Sequence, residues 1–160
     1  MRFLNLAAAV GAVASLNGDL ALAHPIKPQP PTCSLNYPTP PWIQQKIFED
    51  FIQKFYVEKD PKTAIQETMA ENYIQHNPYV LSGRQNSIDY IVPIFGVANF
   101  TVLRRSFSNN TGWVHTKMEI AGQPPAAVVD IFRFQGSCIV EHWDVFTSLP
   151  ENATNPLALF

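Results

Sequence analysis

The chain has 160 residues, with 11 Lys and Arg against 13 Asp and Glu and a formal net charge of −2. That length suits one domain with a real core. A slightly acidic balance, with no basic cluster larger than Arg104-Arg105, leaves no electrostatic footprint for nucleic acid or an anionic membrane.

Residues 1–23 read as a secretory signal. Arg2 gives a minimal positive start, Leu4 to Leu16 is mostly apolar but too short for a membrane span, and Ala21-Leu22-Ala23 is a small-x-small cleavage site. The expected product is therefore secreted after cleavage near Ala23. Asn99-Phe100-Thr101, Asn109-Asn110-Thr111 and Asn152-Ala153-Thr154 are N-glycosylation acceptor patterns at Asn99, Asn109 and Asn152. Cys33 and Cys138 are the only cysteines, and an even count in a secreted chain suits a Cys33–Cys138 disulfide; two unpaired thiols are the alternative. Residues 24–40 form a Pro-rich arm with little capacity for helix or central strand. Signal, sequons and arm together suit a filamentous fungus.

A single domain is expected over residues 41–150, followed by a tail over 151–160. Thr39 with Pro40 is expected to open a first helix, whose apolar stripe Ile43, Ile47, Phe51 and Phe55 runs to Val57. Asp60-Pro61 opens a second by the same logic, ending near Glu71. Ser82-Gly83-Arg84-Gln85 has capping-box spacing for a short third helix, stopped by Pro93. The period then changes to alternation: a strand over Thr101–Phe107, a turn at Asn109-Asn110-Thr111-Gly112, and a second strand over Trp113–Ile120. Helices first and antiparallel strands after predict an α+β fold with the helices on one face of the sheet.

The last two strands hold the densest chemistry. Ala126 to Gln135 and Cys138 to Phe146 are apolar runs broken by Gln135-Gly136-Ser137, a hairpin signal. Asp130 sits among Val128, Val129, Ile131 and Phe132, where an ionised carboxylate is costly without partners. A plain two-residue turn would set Asp130 across from Glu141. A bulged loop with a left-handed Gly136 would set it across from Val140 or His142. The bulge is favoured because it puts Asp130 and His142 on one face.

Val128-Val129-Asp130-Ile131-Phe132-Arg133-Phe134, followed by Gly136 and Ile139-Val140-Glu141-His142-Trp143-Asp144-Val145, resembles the C-terminal hairpin of SnoaL-like polyketide cyclases in the nuclear-transport-factor-2-like (NTF2-like) superfamily. Tyr73-Ile74-Gln75-His76-Asn77-Pro78 resembles the same family's Tyr-x-x-His-Asn-Pro segment, and Trp113-Val114-His115 falls where these proteins carry a strand with an inward His. The resemblance implies a strongly curved antiparallel sheet wrapped on the N-terminal helices as a cone, with a pocket at its mouth. It implies a homodimer through the sheet face. It also implies a pocket lined by Tyr73, His76, His115, Asp130, His142 and Trp143, with Trp113 beside them.

For each residue a plainer role competes. His76 could bond loop backbone, His115 could face solvent beside Trp113 and Lys117, and Asp130 could pair with Arg104, Arg105 or Arg133. Glu141 and Asp144 read as rim or sheet-surface charges. The histidines and Asp130 lack the short local spacing of a zinc site, so no metal is expected, and neither a nucleophile elbow nor a cofactor motif is present. The inventory suits general acid–base chemistry without a cofactor: Asp130 as base, with His142, His115 or His76 stabilising or reprotonating an enolate. Tyr73, Trp143 and Trp113 would bind a small hydrophobic carbonyl or polyketide-like metabolite. A secreted module that only binds such a molecule is the alternative.

Overall fold

A computed structural model describes residues 33–160; the signal-like segment, His24 and most of the arm lie outside the described residues. Helix α1 (Pro41–Ile52) buries Ile47, Phe48, Phe51 and Ile52 on one face. Thr39 does not cap it. Its hydroxyl bonds the Tyr37 carbonyl instead, and Pro40 takes the cap position with no side-chain bond. The helix continues as a π-helical turn over Gln53–Val57, in which the Glu58 N–H reaches the Gln53 carbonyl five residues back. One extra residue per turn rotates the following side chains around the axis, and both Phe55 and Tyr56 become buried.

Helix α2 (Pro61–Thr68) is capped by Asp60, whose carboxylate accepts the Thr63 N–H at 3.1 Å. It stops at Thr68 rather than near Glu71, because Met69–Gln75 forms strand β1. Helix α3 (Arg84–Phe95) also departs from expectation. Gly83, at φ +105°, holds the cap position, while Ser82 Oγ accepts the Gln75 N–H at 3.1 Å. Pro93 does not stop the helix but sits inside its last turn.

Strands β2 (Ala98–Ser108), β3 (Thr111–Ile120), β4 (Ala126–Gln135) and β5 (Cys138–Ser148) pair antiparallel in succession, and β1 adds to β5 in parallel, giving the order β1-β5-β4-β3-β2. Asn109 and Asn110, both at positive φ, make the tight β2–β3 turn. The helices cover one face of this curved sheet. Phe48 and Phe51 pack on Phe132, with Phe48 also against Phe107 and Phe134. The closest approach is at Gly112, where a Cβ would stand 2.6 Å from the Phe48 ring.

The hairpin has a register of its own. Gln135 pairs with Cys138 around a left-handed Gly136 (φ +57°), and Val140 is the extra residue of a bulge between the Phe134–Ile139 and Arg133–Glu141 pairs. Asp130 therefore lies across from Asp144, and not from Glu141, Val140 or His142. The parity is nonetheless even, so Asp130, His142 and Asp144 share the helix-covered face.

A disulfide joins Cys33 to Cys138 across 105 residues of sequence. A cross-link of that span restricts the unfolded chain by roughly 4–5 kcal/mol in the chain-entropy picture. Beside it, Ser34 N–H donates to Ser137 Oγ at 2.8 Å and Ser137 N–H to the Ser34 carbonyl at 3.1 Å. The arm is thereby stitched to the hairpin turn.

Candidate functional site

Between the helices and the inner face of the sheet lies a cavity of about 390 Å³. Its walls are mostly apolar, with Phe55, Ile91, Phe100, Met118, Phe132 and Phe146 among them. One end is polar. Asp130, His142, Asp144, Gln75 and Asn77 converge there, with Tyr56 reaching in from the π-helical turn.

The backbone explains this convergence. The parallel register sets Gln75 beside His142 and Ile74 beside Glu141, and the His76 N–H bonds the His142 carbonyl at 3.0 Å. Side chains therefore alternate past the end of β1. Gln75 and Asn77 point inward to His142 and Asp144, and His76 points out.

The hydrogen bonds assign the protons. Gln75 Oε1 accepts the Asn77 backbone N–H at 3.0 Å, while Gln75 Nε2 donates to the Tyr73 hydroxyl at 2.8 Å. The amide orientation is thus fixed by a backbone donor. His142 Nδ1, 2.8 Å from that same Oε1, must then carry a hydrogen and donate it. His142 Nε2 lies 3.0 Å from Asp130 Oδ1, and this contact is a hydrogen bond only if one proton lies between the two atoms. The pair is therefore an imidazolium facing a carboxylate, or an imidazole facing a carboxylic acid. Either way one hydrogen bond joins the two side chains.

Tyr56 completes the group. Its hydroxyl donates to Asp130 Oδ2 at 2.6 Å. Burial, then the Asp130 charge and hydrogen bond, push its ionisation well above the usual tyrosine range. Tyr56 is a fixed proton donor at neutral pH. Asp144 is held differently: Oδ2 accepts from Asn77 Nδ2, and Oδ1 has no partner among the described residues. Asn77 Oδ1 takes the Tyr79 N–H at 2.9 Å, which leaves the Asn77 amide nitrogen to donate.

Of the sequence-predicted residues, the cavity brings together Asp130 and His142 only. His76 stands on the outer sheet face, its ring stacked on Trp143 at 4.7 Å and Nε2 bonded to Glu141 Oε1 at 2.8 Å. Glu141 Oε2 takes Arg133 Nε at 2.6 Å, and these two hydrogen bonds, His76 first, hold Glu141 below the usual carboxylate range.

His115 is on the outer face too. Arg104 donates to its Nδ1 at 3.2 Å. Burial first and the Arg104 charge second lower its ionisation, against a weaker opposing hydrogen bond with the Leu159 backbone. Trp113 and Trp143 alternate onto this same face, away from the cavity, and Tyr73 is fully buried in the core. The expected roles of His76, His115, Tyr73, Trp113 and Trp143 at the pocket do not fit these positions.

The sequence reading missed Tyr56, Gln75, Asn77 and Asp144 as site residues. Asp144 had a visible signal, being two residues from His142 on a strand. Gln75 and Asn77 had one too, as the inward partners of an outward His76. Tyr56 had none, since nothing in Gln53–Val57 announces a π-turn.

Asp130, His142 and Asp144 each offer a ligand atom, all within 4.8 Å of one another. A cation there would have to break the Asp130–His142 bond. Both oxygens of Asp130 and both nitrogens of His142 are already matched by protein partners, so the donor set suits proton handling better than metal binding.

No protein-family model matches the chain, and no curated protein matches it. Solved structures do share its fold. It is similar to an NTF2-like protein of unknown function from Mesorhizobium loti, with TM-score 0.59 and 17% identity over 70% of this chain and 98% of that one. The fold is NTF2-like. The same cone recurs in a putative SnoaL-like polyketide cyclase from Jannaschia (TM-score 0.55, 14% identity, 68% of this chain and 88% of that one). It recurs again in an LEH-like epoxide hydrolase from M. tuberculosis (TM-score 0.52, 12% identity, 66% and 84%). At such identities the likeness carries the NTF2-like architecture and not the chemistry.

Proposed function

We propose that this chain is a cofactor-independent acid–base lyase or isomerase acting on a small hydrophobic carbonyl compound, by aldol-type cyclisation, isomerisation or dehydration. The observation that carries it is the 3.0 Å contact between Asp130 Oδ1 and His142 Nε2 at the polar end of an apolar cavity. In its carboxylate form Asp130 takes a proton from the carbon beside a substrate carbonyl: the C–H bond breaks and an O–H bond forms. His142, held by Gln75, remains the counter-cation. Tyr56, released by the newly protonated acid, donates to the enolate oxygen. Returning the proton at another carbon gives isomerisation, and returning it to a hydroxyl leaving group gives dehydration.

A second reading has its own support. Every polar atom of the Asp130–His142 pair is satisfied without a substrate, as a purely structural pair in a binding module would be. Asp130→Asn separates the two. The protein and this variant would be incubated with metabolite extract and products followed by mass spectrometry. Conversion at constant mass, or with loss of water, by wild type alone supports the enzyme. Capture of one unchanged compound by both proteins supports the binding module.

The proposal includes secretion. It is supported by the signal-like residues 1–23, by the disulfide, which suits an oxidising compartment, and by the exposure of Asn99, Asn109 and Asn152 at the three sequons. A second copy of the chain is assigned to the outer sheet face, where Val145 is exposed and Trp113 partly so.

A further inference from the structure

The cavity contains a carboxylate oxygen with no hydrogen-bond partner among the described residues. Asp130 has both oxygens engaged, one by His142 and one by Tyr56. Asp144, across the ladder from Asp130, is then the remaining acidic group at the polar end. It receives one hydrogen bond, from Asn77, and its second oxygen is unpartnered among the described residues.

Among the described residues, no Lys or Arg lines the cavity. The cations on the sheet are committed elsewhere: Arg104 to His115, Arg105 to Glu49, Lys117 to Glu119 and Arg133 to Glu141. Asp144 is only partly buried, and its second oxygen is left open to the cavity. A cationic ligand would supply the partner that this oxygen lacks.

The surroundings indicate which partner. Phe146 follows Asp144 on the same face of β5, and Tyr79 follows Asn77; both line the cavity, with Tyr90 and Phe100 farther round. Aromatic faces attract cations, and a charge-assisted N–H···O bond is the strongest single contact open to Asp144 Oδ1. An anionic ligand would meet Asp144 with nothing to offset the repulsion. A neutral hydroxyl would be tolerated but would leave the charge in place.

We infer that the cavity is a site for a hydrophobic amine, whose protonated nitrogen pairs with the free Asp144 oxygen while its apolar body fills the aromatic walls. This rests on the reading of the cavity as the ligand site and adds the substrate class to it: a carbonyl compound that also bears a basic nitrogen. Asn77 is the positioning residue, aiming the carboxylate by its amide. Asp130 and His142 keep the acid–base work, so recognition and chemistry are neighbours, with the three side chains offering atoms within 4.8 Å of one another on one face of the sheet.

The test is calorimetric binding of three probes with matched carbon skeletons, phenylbutylamine, phenylbutanol and phenylbutyrate, to the full chain and to Asp144→Asn. The amine is expected to bind about tenfold or more tightly than the alcohol, with the carboxylate weakest. In Asp144→Asn the amine and alcohol should bind alike. Equal affinities for amine and alcohol in the wild type would overturn the inference without any variant. So would an amine preference that survives Asp144→Asn. The measurement reads binding alone, so it fails separately from the acid–base reading: turnover lost in Asp130→Asn with no amine preference leaves the enzyme and removes the amine.

Discussion

The two faces of the sheet carry similar residue types and use them differently. On the inner face His142 stands among Asp130, Gln75 and Tyr56, on the helix-covered side of the sheet, with a cavity in front of it. On the outer face His76 lies flat on Trp143 beside Glu141 and Arg133, and His115 is tied to Arg104 under the C-terminal tail. All three histidines make ion-pair or hydrogen-bond contacts. Only His142 borders the apolar cavity. Residue type alone does not make the site. Strand parity does, since each one-residue step moves a side chain from one environment to the other.

The strongest way to break this comparison is to remove chemistry from each face in turn. Asp130→Asn is expected to lower turnover of the identified substrate by about 10²–10⁴, the range for a positioned acid or base. His76→Ala and His115→Ala should leave turnover within about threefold of wild type, because neither reaches the cavity. A loss from either outer-face variant comparable to that of Asp130→Asn, with the fold intact by circular dichroism, would mean that the two faces are coupled in the reaction.

Packing gives a smaller contrast. A methyl added on the inner face at Gly112 meets the Phe48 ring, which is itself wedged among Phe107, Phe132 and Phe134. Gly112→Ala should therefore destabilise by about 1–3 kcal/mol, as overpacking of a filled core does. Trimming Val145 to Ala on the outer face, where the side chain is 63% exposed, should cost no more than about 0.5 kcal/mol in a monomer. Urea unfolding midpoints compare the two. A large loss from Val145→Ala would mean that this face is covered in solution, as it would be by a second copy of the chain.

Much of this was legible in the sequence. Helical stripes, the switch to alternation and the hairpin turn together suffice for the α+β class, and the isolated Asp130 marks a strand that borders the cavity. Three things were not legible, each for a physical reason. Strand β1, Met-Ala-Glu-Asn-Tyr-Ile-Gln, has little local strand preference and forms by pairing with β5, a non-local effect. The bulge at Val140 shifts the register by a residue no turn rule counts, and so conceals the Asp130–Asp144 opposition. The π-turn that aims Tyr56 is an extra residue inside an otherwise regular helical pattern. The histidines, the most conspicuous polar residues in the sequence, misdirected the site towards His76 and His115, because periodicity says which residues share a face and not which face is covered.

The smallest effect bears on the outer face alone. His115 is buried beneath the tail, with Arg104 donating to Nδ1, the Leu159 backbone as a further partner, and Lys117 nearby over the Phe160 ring. Burial and the Arg104 charge hold its ionisation below the ordinary value of 6.5. In the unfolded chain the same imidazole takes up a proton as the pH falls through that ordinary value, before the folded form does. The unfolded state then binds more protons, so stability must decline with falling pH across this window. The decline should level off once the folded imidazole is protonated too. His115→Asn removes the titrating group, so the slope of unfolding free energy between about pH 7 and pH 5.5 should be shallower in the variant. Parallel slopes would show that His115 is as free to protonate in the folded protein as in the unfolded chain, and that the tail does not close over it in solution. No change is expected in the affinity of the inner cavity over the same comparison, because the sheet itself separates the two sites.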